Sequence, residues 1–69
     1  MKQVIHLNPP AQCDVCKANI TEEFVDGMTV YGPWANMCMS CFNIIGIGLG
    51  TGRGQLYRKH DDKFIKEEG

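Results

Sequence analysis

CDVCKANITEEFVDGMTVYGPWANMCMSC, residues 13–41, decides how this chain is read, because it opens and closes on the same cysteine spacing. All 4 cysteines fall into these two CxxC pairs, Cys13 with Cys16 and Cys38 with Cys41. Two intervening residues let both sulfurs of a pair approach one ion, while N–H groups of the tight turn donate to the thiolates. Two such turns supply a tetrahedral shell, and zinc is the common ion of small four-cysteine domains. The expected cofactor is one structural Zn2+ on Cys13, Cys16, Cys38 and Cys41. Iron accepts the same four thiolates in rubredoxin-like sites, so the ligand set alone does not separate the two ions.

Other uses of four cysteines are weaker. A disulfide framework would allow three connectivities, but no secretory segment supports an oxidising compartment: Lys2 and Gln3 precede only Val4-Ile5 before His6 interrupts the run. A thioredoxin-like role needs one CxxC at the start of a helix in a larger fold, and leaves the second pair without a use. Hydrolysis is disfavoured too, since four thiolates close the shell and catalytic zinc keeps a position open for water. The expectation is a protein that is not an enzyme. His6 and His60 lie outside knuckle spacing and read as surface histidines near the ends.

At 69 residues a hydrophobic core alone gives marginal stability, which is where metals commonly reinforce a fold. The composition, 43% hydrophobic and 22% charged with 8 acidic against 7 basic side chains, is that of a globular domain without polyelectrolyte character. The most apolar stretch, Phe42 to Leu49, is interrupted by Asn43, Gly46 and Gly48 and is too short to span a bilayer. A soluble, cytoplasmic protein without a membrane partner is expected.

Between the cysteine pairs, Glu23-Phe24-Val25 and Met28-Thr29-Val30-Tyr31 flank Asp26-Gly27, a dipeptide suited to a two-residue type I′ turn. Gly32-Pro33 closes the second strand, and Trp34 is expected to pack over the metal site or the hairpin face; the alternative is an exposed stacking platform. A short helix is expected to begin between Asn36, its candidate N-cap, and Cys38, with Gly46 as C-cap. Cys41, Ile44 and Ile45 would share its inward side, with Met37 joining them. The fold class is therefore a small metal-stabilised α+β domain, a treble-clef-like zinc finger with a β-hairpin and short helix. A zinc ribbon, with both pairs on hairpin knuckles, is the rival.

Outside this unit, Val4, Ile5 and Leu7 suggest a first strand, possible partner of a last strand at Gln55-Leu56-Tyr57-Arg58. The domain is placed at residues 1–60, with 61–69 a polar C-terminal tail that frays. Residues 46–54, GIGLGTGRG, hold five of the 8 glycines but lack the Lys-Ser/Thr of a phosphate-binding P-loop. Either these glycines fold the chain back over the domain, or their N–H groups form an anion or partner site with Gly50, Gly52, Arg53, Arg58 and Lys59.

WANMCMSCFNIIGIGLGTGRGQLY resembles the distal half of small zinc-finger-like proteins encoded by bacteriophages and prophages. With the first CxxC, GPWANMC and GLGTGRGQLY, the shared pattern covers residues 13–57. The resemblance implies that the four cysteines ligate metal and that Trp34 and residues 48–57 form the family's special surface. It transfers no catalytic residue and is silent on function; it implies a phage or prophage setting in a bacterial cytoplasm, where small proteins act by binding host or viral macromolecules, and the expectation is an accessory factor.

Two functions follow as expectations. One is a protein-interaction module presenting the hairpin, Trp34 and the glycine segment. The alternative is a nucleic-acid-binding zinc finger in which Arg53, Arg58, Lys59 and Lys17 contact phosphates and Tyr57 or Trp34 stacks. Charge moderates the second: four thiolates and one divalent cation add two negative charges to the formal −1.

Overall fold

The computed structural model describes residues 4–69, so Lys2 and Gln3 lie outside the described residues. In chain order it contains β1 (Glu23–Met28), β2 (Trp34–Met37), α1 (Met39–Ile45), β3 (Gly54–His60) and β4 (Lys63–Glu68). The strands form one antiparallel sheet in the order β2-β1-β3-β4. The result is a small α+β fold with one short helix among the described residues.

Both faces of the sheet are covered, which explains why Phe24 and Val25, adjacent in β1, are both fully buried. Strand side chains alternate between faces. Val25 therefore joins Met37, Leu56, Cys13 and Cys41 on one face, with Phe42, Ile45 and Leu49 packed against them. Phe24 joins Tyr57 and Phe64 on the other, where Phe24 stacks on Tyr57 at 5.2 Å between ring centroids.

The hairpin is not where Asp26-Gly27 placed it. Both residues lie within β1, and neither has the positive φ that a type I′ turn requires. Gly27 faces Gly54 across the β1–β3 pair, and a Cβ on Gly27 would stand 2.8 Å from the Arg53 carbonyl oxygen. The glycine is there for close backbone approach, not for a turn. The chain reverses between Met28 and Trp34, where the buried Thr29 hydroxyl donates to the Pro33 carbonyl at 3.0 Å and accepts from the Tyr31 N–H at 3.3 Å. The two-residue turn with positive φ at both positions occurs instead at Asp61-Asp62, φ 50° and 67°, joining β3 to β4.

That turn corrects the reading of the C-terminal segment: residues 63–68 are a paired strand, and Phe64 is a buried member of the second core cluster. Among the described residues, the first segment pairs with this strand and not with β3. The His6 N–H donates to the Phe64 carbonyl at 2.9 Å, and the Lys66 N–H donates to the Val4 carbonyl at 2.7 Å.

The helix spans Met39–Ile45, with Cys38 as N-cap and Gly46 as C-cap, the Gly46 N–H donating to the Phe42 carbonyl. Asn36 is not the cap, because it belongs to β2. Cys41 is buried and Ile45 packs on the core, but Ile44 is 78% exposed and lies off the inward side. No helix among the described residues is long and apolar enough to cross a membrane.

Candidate metal centre

Cys13 and Cys16 stand on a knuckle whose backbone closes on itself. The Cys13 N–H donates to the Ala18 carbonyl at 2.8 Å and the Lys17 N–H to the Cys13 carbonyl at 3.0 Å, with Lys17 turning the chain at φ 66°. Cys38 and Cys41 stand at the cap and in the first turn of α1. A two-point clamp brings the pairs together: the Asp14 N–H donates to the Asn36 carbonyl at 2.9 Å, and the Asn36 N–H donates back to Asp14 Oδ2 at 2.9 Å. This fastens the knuckle to the outer edge of β2, just before Cys38. Sequence spacing does not reveal the clamp, because its partners are 22 residues apart and belong to no shared motif.

All four sulfurs lie within 4.8 Å of one another, and Cys16 Sγ is 3.7 Å from Cys38 Sγ. Zinc–sulfur bonds of about 2.3 Å in a tetrahedron require sulfurs about 3.8 Å apart, so the cluster has the dimensions of a four-thiolate zinc site. The surroundings of the two inner sulfurs push their protonation in opposite directions. Burial pushes the Cys13 thiol up, but N–H groups of Cys16, Cys38 and Val15, with the Cys41 thiol, outweigh it and bring Cys13 down to about 6. Cys41 is pushed up to about 12, first by burial and then by the thiols of Cys38, Cys16 and Cys13. Without a cation the group favours one thiolate and resists further ionisation; a divalent cation removes that repulsion. The four cysteines thus form a cluster able to hold one metal ion in a structural role.

The other candidate residues do not gather into one surface. Tyr57 is buried against Phe24 and is not available to stack on a ligand. Arg58 is tied to Glu23, Nε to Oε1 at 3.3 Å, while Lys59, its neighbour in β3, extends from the opposite face. Gly50, at φ 128°, leaves room for the Arg53 guanidinium, which would stand 2.8 Å from a Cβ there; Gly52, at φ 80°, lies in the turn between them. Among the described residues no carboxylate pairs with Arg53. Trp34 sits on the edge strand opposite Met28, 46% exposed, and does not cover the metal cluster, since it lies on the face away from Met37.

The histidines also divide. His60 is an exposed residue hydrogen-bonded to Glu67. His6 is not a surface residue in the same sense: its ring stands edge-on to Phe24 and Tyr57 at centroid distances of 5.2 and 5.0 Å, and Nε2 is 3.9 Å from Asp26 Oδ2. Neither contributes to the cysteine cluster. Comparison with family models, with curated proteins and with solved structures finds no match to this chain.

Proposed function

We propose that this protein is a non-catalytic, treble-clef-like zinc module that presents an apolar surface to a protein partner. The order knuckle, β1–β2 hairpin, then a cysteine pair at the start of α1 supports the treble-clef reading over a ribbon. The observation that carries the interaction reading lies where the β1–β2 turn meets the end of α1. There the Val30 N–H donates to the Ile45 carbonyl at 2.8 Å and Thr29 bridges to Gly46. This sets the backbone of Val30 and Tyr31 beside that of Ile44 to Ile47, with Tyr31 77% and Ile44 78% exposed. Exposed apolar side chains gathered on a metal-fixed scaffold are the usual mark of a protein contact.

A nucleic-acid reader would need a basic track with an accessible aromatic. Here the burial of Tyr57 removes one of its two candidate aromatics and Glu23 offsets the charge of Arg58, which leaves Trp34 and Arg53 without a continuous basic track between them. An accessory role in a bacterial cytoplasm is part of this proposal and rests on the sequence resemblance of residues 13–57 alone.

The test is capture from nuclease-treated bacterial lysate by the zinc-loaded protein, alongside a Tyr31→Ser/Ile44→Ser double variant. The expected outcome is a nuclease-resistant protein partner that the variant loses while keeping its zinc. Salt-dependent binding to purified DNA or RNA, with every partner removed by nuclease, would contradict the proposal.

A further inference from the structure

We infer that Cys16 and Cys38 form a peroxide-sensitive edge of the metal centre, which a hydroperoxide oxidises to a disulfide with release of the metal. The inference rests on the structural-zinc reading above and concerns the unequal surroundings of its four ligands.

Cys13 is fully buried and Cys41 nearly so, both packed with Val25, Met37 and Leu56. The Cys13 sulfur also accepts the Val15 N–H at 3.4 Å. Cys16 is exposed and Cys38 half-buried, and their sulfurs are 3.7 Å apart. Oxidation follows thiolate character and access, and a sulfenic acid is resolved by a thiolate within reach. Solvent reaches one edge of this tetrahedron, and that edge joins the knuckle to the helix cap. A disulfide within either CxxC pair would instead have to recruit Cys13 or Cys41 from the core.

The chemistry balances with hydrogen peroxide as oxidant. The Cys16 thiolate attacks one peroxide oxygen; an S–O bond forms, the O–O bond breaks, and the departing hydroxide takes up a proton to become water. The Cys38 thiolate then attacks the Cys16 sulfur of the resulting sulfenic acid. An S–S bond forms, the S–O bond breaks, and the second oxygen leaves as hydroxide and is protonated to water. The two thiolates together lose two electrons and the peroxide gains both. The divalent cation leaves with its oxidation state unchanged, since Cys13 and Cys41 alone supply half a shell.

The experiment starts by measuring the metal content of the purified protein, which tests the zinc reading by itself. The zinc-loaded protein is then treated with substoichiometric hydrogen peroxide, released zinc is read with a colorimetric chelator, and the remaining thiols are alkylated and mapped by peptide mass spectrometry. The expected result is one zinc released for each Cys16–Cys38 disulfide formed, with Cys13 and Cys41 alkylated. A Cys16→His variant retains a nitrogen ligand at that corner and is expected to keep its zinc under the same treatment. A first-formed disulfide containing Cys13 or Cys41, or peroxide consumption at Cys16 without zinc release, would overturn the inference while leaving the measured zinc content intact.

Discussion

Asp14 lies between two cysteines of the cluster, and its importance comes from a strand that follows 22 residues later: it both donates to and accepts from Asn36. Replacing it with Ala removes a charge-assisted hydrogen bond and should lower the stability of the metal-loaded protein by about 1–2 kcal/mol in urea unfolding. Asp14→Asn keeps an acceptor oxygen and should retain most of that stability. An equal loss in both variants would assign the effect to charge and not to the clamp. Tyr57 gives a second test at this scale. Burial, and then the negative charge of Asp26, raise its phenol above the ordinary 10.0. The folded state therefore holds the proton more tightly than the unfolded chain, so this contribution is complete below the unfolded value and is lost as pH rises through the folded one. Stability should fall above about pH 10. In Tyr57→Phe that alkaline decline should be shallower, as read from urea midpoints across the pH range.

Among the elements, β4 is the one whose role differs most from the expectation of a fraying tail. Phe64, buried against Phe24 and Tyr57, closes the sheet face opposite the cysteines, and the backbone of the same strand holds residues 4–6. Phe64→Ala should cost about 3–5 kcal/mol, measured by chemical denaturation with zinc content monitored in parallel. A loss below about 1 kcal/mol would return this segment to the status of a dispensable tail. The strand was hard to read because Lys63, Lys66, Glu67 and Glu68 leave Phe64-Ile65 as its only apolar pair. Its turn, Asp61-Asp62, lacks the glycine that usually advertises a type I′ hairpin. Asp26-Gly27 carried that advertisement and misled, because local turn preference yielded to the need for a glycine where β1 and β3 backbones approach. The short helix and its Gly46 cap were legible from the cysteine spacing and the glycine. Its start was not, since Asn36 is committed to the clamp. The cysteine cluster was legible in full because two CxxC pairs define a shell without knowledge of what lies between them. The surface residues were not, because which face of β3 receives Tyr57, Arg58 and Lys59 depends on strand register.

At the scale of the whole molecule, the sheet separates two cores held by different means. One gathers Phe24, Tyr57 and Phe64 by aromatic packing; the other gathers Val25, Met37 and Leu56 around two of the four sulfurs. The second brings four cysteine sulfurs within 4.8 Å of one another, and on the structural-zinc proposal one cation holds them together. Binding free energy at such a site is folding free energy. Chelation should therefore abolish cooperative unfolding and collapse the dispersion of amide NMR signals, and zinc addition should restore both. The most direct measurement is native mass spectrometry with elemental analysis of the purified protein, joined to alkylation of its thiols before and after chelation. One zinc per chain, four thiols protected until the metal is stripped, and loss of cooperative folding on stripping are the results this account predicts. A metal-free chain that folds cooperatively, with its cysteines freely alkylated or paired in two disulfides, would contradict it.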